Sequence, residues 1–184
     1  MNVFARSDTS VLGRWWWTVD RWTLTAVGAL IAFGIIMALA ASPAVAERIG
    51  LDYFYFARRQ LVYLPVALAL MIGASLLSPT GVFRAAMVTL TIFSLLVVAT
   101  FIVGTEIKGA QRWIGLGPIS IQPSEFLKPA FAVVAAWLFA SARTGDIKHG
   151  NLISIATFGT IVSLLLLQPD VGMSVVISVV WSAQ

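Results

Sequence analysis

The chain has 184 residues, of which 59% are hydrophobic and 11% charged, with a formal net charge of +4 and a mean hydropathy of +0.93. A soluble protein of this length needs far more charged surface, so the composition excludes a water-soluble globular domain and indicates residence in a membrane. The absence of cysteine excludes disulfides and thiolate metal sites. The positive charge suits contact with anionic lipid head groups, and its pattern does not resemble a nucleic-acid-binding patch.

The charge pattern divides the chain into a tail and a membrane domain. We predict that residues 1–21 form a cytoplasmic N-terminal tail and that residues 22–184 form the membrane domain. Three uncharged runs follow the tail, each at least as long as the roughly 20 residues that a membrane-spanning helix needs. They cover residues 22–46, 60–83 and 85–105.

Three further apolar segments follow a polar stretch. A fourth span runs from about residue 124 to 142 if Glu125 and Lys128 belong to its first turns. A fifth covers residues 152–167, slightly short for a crossing at ~1.5 Å per residue. The sixth begins near residue 172 and stops at the end of the sequence. We therefore predict an all-α, polytopic transmembrane helix bundle with five full spans and a truncated sixth.

The polar stretch before the fourth span is the most informative part of the chain. Two glycines and a proline within residues 112–118 predict a compact re-entrant or surface loop. Pro123 suits the first turn of a helix, where its missing N–H is harmless. Glu125 and Lys128 are three residues apart, hence on one helix face. An ionisable group at the membrane centre costs roughly 2.5–3.5 kcal/mol, which favours a functional role for this pair. The alternative is an ion pair that only fixes helix packing.

The basic residues leave the orientation open. With the N-terminus in the cytoplasm, the 12 lysines and arginines divide equally between the two sides, so the positive-inside rule does not decide. Setting aside the three basic residues of the polar stretch favours a cytoplasmic N-terminus. That step presumes that these three residues are functional.

Two separated motifs resemble the signature of the SEDS family, named for shape, elongation, division and sporulation. The first is Lys-Gly-Ala-Gln-Arg-Trp-Ile over residues 108–114, followed by Gln-Pro-Ser-Glu over residues 122–125 and by Lys128. The second is Leu-Gln-Pro-Asp-Val-Gly over residues 167–172. The resemblance covers residues 22–184 and is greatest to the cell-division branch, FtsW, rather than to the elongation branch, RodA.

The resemblance implies a bacterial inner-membrane glycosyltransferase with about ten helices and a site that faces the periplasm. Such enzymes polymerise lipid II, the undecaprenyl-diphosphate-linked disaccharide pentapeptide, into peptidoglycan strands for septal cell-wall synthesis. Their partners are a class B penicillin-binding protein, which crosslinks the strands, and other divisome membrane proteins. The family's principal catalytic aspartate lies in a loop after the seventh helix, beyond this sequence. We therefore expect the chain alone to be inactive.

The resemblance also assigns roles to individual residues. It implies that Glu125 and Lys128 support catalysis. Since negative charge gathers on the departing diphosphate, cations placed there stabilise the transition state. Arg112 offers a planar fork for phosphate oxygens, whereas the lysines act as point charges. A divalent cation, Mg or Mn, held by carboxylates is a possible further component. The implied substrate-binding residues are Arg112, Lys108, Trp113, Gln122 and Asp170.

Other interpretations of the same residues stay open. Arg112 is equally able to extend to lipid phosphates beside Trp113, and Asp170 to serve only as the N-cap of the following helix. Pro129 departs from the family pattern, disfavours helical geometry at Lys128 and is expected to kink the helix. For the protein as a whole, the alternatives are a lipid II flippase and a non-catalytic divisome scaffold.

Overall fold

The structure is a computed structural model that describes residues 10–107, 110–116 and 119–184. It divides into two compact units, the first ending at Leu77 and the second beginning at Ser78. The described residues form seven helices and three short strands. In chain order they are α1 (Val11–Thr18), α2 (Arg21–Arg48), α3 (Tyr55–Ser75), α4 (Pro79–Val103), β1 (Thr105–Ile107), β2 (Ala110–Leu116), β3 (Ile119–Ile121), α5 (Pro123–Thr144), α6 (Gly150–Leu167) and α7 (Val171–Ser182).

Helices α2 to α6 are long and apolar enough to cross a membrane, with lengths of 28, 21, 25, 22 and 18 residues. Helix α7 is apolar but has only 12 residues. Large apolar side chains face outward along these helices, as at Ile102, which is 86% exposed. Such surfaces are stable in lipid and costly in water. The protein is therefore a multi-pass membrane protein, and the predicted helical bundle with five full spans is confirmed.

The first unit consists of α1, α2 and α3. The carboxylate of Asp20 caps α2 by accepting hydrogen bonds from the backbone N–H groups of Trp22 and Thr23, at 3.2 and 3.1 Å. Helix α1 lies within the stretch described above only as a tail, and Trp15 Nε1 donates to Ser75 Oγ at 2.8 Å. The tail thus contains a helix that the sequence analysis did not predict.

The boundary between α3 and α4 corrects one predicted span. Residues 60–83 were expected to form one helix, but α3 ends at Ser75 and α4 begins at Pro79. Ser78 caps α4 by accepting a hydrogen bond from Gly81 N at 3.2 Å, and proline is favourable in a first helical turn. The break was hidden because no charged residue marks the turn.

In the second unit, α5 packs against α4, α6 and α7. One face of α5 is buried. Its buried residues follow one another at intervals of three and four positions, as on one side of a helix. This face carries Leu127, Phe131, Val134, Ala135 and Leu138. Because lipid tails are as apolar as these side chains, close packing rather than exclusion of water stabilises this core.

A small antiparallel sheet with the order β1-β2-β3 connects α4 to α5. Thr105 pairs with Trp113 across β1 and β2, and Ile114 pairs with Ile121 across β2 and β3. Residues 112–118 were predicted to form a compact re-entrant or surface loop; residues 112–116 instead form part of strand β2, and residues 117 and 118 lie outside the described part of the chain. Pairing satisfies the backbone polar groups that an open loop would leave unpaired near lipid.

Candidate functional site

The ends of four helices and strand β2 converge in the second unit. The C-terminal turns of α4, strand β2, the N-terminus of α5 and the turn between α6 and α7 are joined by hydrogen bonds of polar side chains. Polar side chains from distant parts of the sequence meet there. The site therefore exists only once the four helices have packed.

Asp170 is the centre of this cluster. Its side chain is only 7% exposed, and its Oδ1 lies 3.6 Å from Nη1 of Arg112. Gln122 Nε2 donates to Oδ2 at 3.4 Å. The same carboxylate caps α7 by accepting from Met173 N at 3.3 Å. The guanidinium and the positive end of α7 together balance the buried negative charge.

Arg112 reaches the cluster from β2. Its Nη2 donates to the backbone carbonyl of Pro169 at 3.1 Å, beside the contact of Nη1 with Asp170. Its Nε is buried and has no hydrogen-bond partner among the described residues. The guanidinium thus contacts protein groups, whereas the alternative interpretation was that it extends to lipid phosphates. The side chain is 32% exposed, so a ligand can still approach it.

Glu125 and Lys128 form a second pair in the first two turns of α5. Lys128 Nζ lies 2.7 Å from Glu125 Oε2, and the side chains are 29% and 50% exposed. The side-by-side placement expected from their spacing is therefore observed. Helix α5 continues through Pro129, which cannot donate the hydrogen bond that the carbonyl of Glu125 would otherwise accept. Because both charged groups are partly exposed, they remain accessible to a ligand.

The structure does not join all the predicted residues. Within the described ranges, no hydrogen bond or ion pair links the Glu125–Lys128 pair to Arg112 or Asp170. The backbone carbonyl of Trp113 accepts a hydrogen bond from Thr105 Oγ1 at 3.2 Å. Lys108 lies outside the described residues, so its predicted role in substrate binding stays a prediction.

Two further polar residues, neither of them among the predicted site residues, complete the cluster. Gln168 is 2% exposed and Thr100 is fully buried. Gln168 Nε2 donates to Thr100 Oγ1, to the carbonyl of Val97 at 3.4 Å and to that of Gln111 at 3.5 Å. Gln168 belongs to the second sequence motif and could have been found there. Thr100 stands in an apolar helix with no such signal.

A metal ion finds few ligands in this part of the protein. The described residues contain no group of three or more histidine, cysteine, aspartate or glutamate side chains that could hold one. Asp170 is paired with Arg112 and Glu125 with Lys128. These residues do not by themselves fit a divalent cation, so no step of the chemistry below is assigned to one.

The family comparison covers nearly all of the chain. Residues 21–183 match the model of the FtsW, RodA and SpoVE family, described as cell cycle proteins. The probable peptidoglycan glycosyltransferase FtsW of Caulobacter vibrioides is 41% identical over 184 residues, covering 99% of this chain and 47% of that protein. The protein of the same name from Escherichia coli O157:H7 is 37% identical over 166 residues, covering 87% and 39%. The chain thus spans less than half the length of these curated relatives.

Solved structures give the same picture of the fold. The rod shape-determining protein RodA of Thermus thermophilus is 31% identical, with a TM-score of 0.56 over 79% of this chain and 49% of that one. A second solved structure, of a peptidoglycan synthase complex, is described as showing the structural coordination of polymerization and crosslinking. It is 30% identical, with a TM-score of 0.56, and the match covers 79% of this chain and 44% of that one. The transmembrane arrangement therefore has experimental counterparts.

Proposed function

The chain belongs to the FtsW, RodA and SpoVE family of cell cycle proteins, and we propose from this that it takes part in polymerising lipid II into glycan strands for septal cell-wall synthesis. The relatives described above carry the name FtsW, which supports the division branch. The observation that carries the proposal is the buried Asp170 with Arg112 and Gln122, near the start of the helix that bears Glu125 and Lys128. Ionisable groups buried between the helices of a membrane protein are rare and commonly mark a functional site.

The proposed reaction joins two lipid-linked sugars. A sugar hydroxyl of one molecule attacks the anomeric carbon of the other and forms a new C–O bond, while the bond from that carbon to the diphosphate oxygen breaks. The electron pair stays on the leaving polyprenyl diphosphate, and the hydroxyl proton passes to a base. Arg112 and Lys128 are the cations that stabilise the negative charge as it develops on the diphosphate.

Both cations are held in place before a ligand arrives. Arg112 lies against Asp170, and Lys128 against Glu125. Side chains that are already oriented lose less conformational entropy when they bind a ligand, and oriented charges stabilise a transition state without first reorganising. The diphosphate then takes over contacts that the two carboxylates make in the free protein. This arrangement supports a binding role for the two cations.

Location and partners follow from the same proposal. We infer that the protein lies in the bacterial inner membrane with its N-terminus in the cytoplasm and the site facing the periplasm, where lipid-linked sugars are polymerised. A structural neighbour is described as coordinating polymerization with crosslinking in a peptidoglycan synthase complex. This supports a class B penicillin-binding protein as partner, together with other divisome membrane proteins.

Reconstitution tests the function. The full-length product of the reading frame is placed in proteoliposomes with lipid II and a class B penicillin-binding protein, and glycan strands are measured by gel electrophoresis. We expect strands from the wild type and loss of most activity in Arg112→Gln. Arg143→Gln is the matched control, because Arg143 lies in the last turn of α5, away from the site. Translocation of lipid II without polymer would instead indicate a flippase, and recruitment of the partner with neither activity would indicate a scaffold.

A further inference from the structure

We propose that Gln168 is a positioning residue of this site, which fixes the guanidinium of Arg112 by clamping the turn at residues 168–170 to both α4 and β2. The inference rests on the proposed function. Gln168 does not itself touch the ligand, because its side chain is 2% exposed. It acts on the site through the residues that follow it in the chain.

The amide of Gln168 contacts two other elements. Its Nε2 donates toward the carbonyl of Val97 and the hydroxyl of Thr100 on α4, and toward the carbonyl of Gln111 on β2. All three partners act as acceptors toward it, so the site needs a donor at this position. One amide thereby joins two elements that are distant in sequence.

Gln168 is connected to Arg112 through the two residues that follow it in the chain. Pro169 and Asp170, the next two residues, supply both partners of the guanidinium, namely the carbonyl for Nη2 and the carboxylate for Nη1. The carbonyl of Gln111, which Gln168 contacts, belongs to the peptide that precedes Arg112. The turn therefore contacts Arg112 both at the preceding peptide and at the guanidinium. A displacement of Gln168 would change both contacts together.

Two buried polar atoms of the cluster have no hydrogen-bond partner among the described residues. Within the described part of the chain, Arg112 Nε and Gln168 Oε1 are buried and unpaired. One is a donor and the other an acceptor, and each unpaired buried group is costly. Both side chains are held by their other polar atoms, Gln168 through Nε2 and Arg112 through Nη1 and Nη2.

The test compares variants that separate donation from shape. Gln168→Glu keeps the length and shape but replaces the amide donors by an acceptor, and Gln168→Met keeps the length without polar atoms. Misplaced charged groups cost up to about 100-fold in rate, so we expect kcat to fall about 10–100-fold in both variants with KM changed less than about threefold. Thr100→Val should show a smaller fall in kcat, and Thr100→Ser should restore it.

Two measurements keep a structural effect apart from a positioning effect. Ser154→Ala removes a buried hydroxyl that accepts from Trp181 Nε1 at 3.0 Å in the same unit, so it lowers stability without lowering kcat. In a double-mutant cycle, Gln168→Met and Arg112→Lys together should lower kcat by less than the product of their separate effects, since one acts through the other. Fully independent effects, or a normal kcat in Gln168→Met, would overturn the proposal.

Hydrogen exchange distinguishes failure of this inference from failure of the proposed function. If the wild type makes no glycan strands, the function is wrong, but the clamp is still testable. Amides of residues 110–116 should exchange about tenfold faster in Gln168→Met than in Ser154→Ala, because strand β2 loses its hold on the turn. Equal protection of β2 in both variants would refute the clamp, whatever the activity.

Discussion

Two contacts of the Asp170 carboxylate bear on the role of this residue. It caps α7 through Met173 N and lies 3.6 Å from the guanidinium of Arg112. Both roles that the sequence allowed, helix cap and substrate-binding residue, are compatible with these contacts, so a substitution has to separate them. A substitution that preserves the cap and removes the charge does so.

Asp170→Asn is that substitution. Asparagine caps helices about as well as aspartate, so we expect the melting temperature of the purified protein to change little. The ion pair with Arg112 is lost, however, and we expect polymerisation to fall about tenfold or more, since charge-assisted contacts are about twice as strong as neutral ones. The measurement is strand formation from lipid II beside thermal unfolding. An Asn variant that polymerises normally would reduce Asp170 to a cap.

The Glu125–Lys128 pair permits a second test at this scale. If the pair only fixes packing, exchanging the charges in Glu125→Lys with Lys128→Glu restores the ion pair and the function. If Lys128 contacts a diphosphate, the exchanged protein is stable but inactive, because a carboxylate then stands where the ammonium binds phosphate. We expect the second result. The free energy of unfolding should stay within about 0.5 kcal/mol of the wild-type value, because partly exposed ion pairs contribute little to stability. Recovery of activity by the exchange would contradict it.

At the scale of elements, α2 depends on a cap outside the membrane span. The pKa of Asp20 is lowered, first by the hydrogen bond from the Thr23 hydroxyl and then by the backbone N–H groups of Thr23 and Trp22. The charged form is therefore favoured in the folded state. Its contribution is complete above the unfolded value of 3.8 and is lost as the pH falls through the lower folded value.

The prediction is that the first turn of α2 frays only under acid conditions. Hydrogen exchange of the amides at residues 21–24, corrected for its intrinsic pH dependence, should show constant protection between pH 7 and pH 5, and less protection at about pH 3. In Asp20→Ala, the same amides should be less protected at every pH. Protection that declines between pH 7 and pH 5 would show that another group controls this turn.

The elements show where sequence reasoning succeeds and where it stops. The spans were predictable because about 20 consecutive apolar residues have few other uses. The turn between α3 and α4 was not, since it carries no charge and only Ser78 and Pro79 mark it. Strand β2 was also missed, because a strand is defined by its partners and Trp113 pairs with a residue eight positions earlier. Thr100 became a site residue only through its contact with Gln168, 68 residues away in sequence.

At the scale of the whole molecule, the proposed orientation predicts the side of the membrane on which each loop lies. We expect the α4–α5 sheet outside and the α5–α6 loop inside, and we expect the α2–α3 loop of the first unit outside. The charge balance left this orientation open, and it stays a proposal. The family-level predictions stood better because two motifs in fixed order identify a family more specifically than any count of charges.

Single cysteines test the orientation directly, since the chain has none of its own. Asp52 in the α2–α3 loop and Asp146 in the α5–α6 loop are both exposed. In spheroplasts, we expect a membrane-impermeant maleimide to label Asp52→Cys at once and Asp146→Cys only after the membrane is opened. The reverse pattern would place the cluster around Asp170 on the cytoplasmic side, where the proposed polymerisation does not occur.

Ligand binding shows directly whether the partly buried charges of Arg112 and Lys128 recognise the diphosphate of a lipid. Binding of farnesyl diphosphate and of farnesol to the full-length protein in detergent is compared by calorimetry, for the wild type and for Arg112→Gln with Lys128→Met. We predict that the wild type binds the diphosphate at least about tenfold more tightly, a difference of about 1.4 kcal/mol, and that the double variant loses this preference. Equal affinities in the wild type, or a preference that survives the double variant, would show that Arg112 and Lys128 do not recognise the diphosphate.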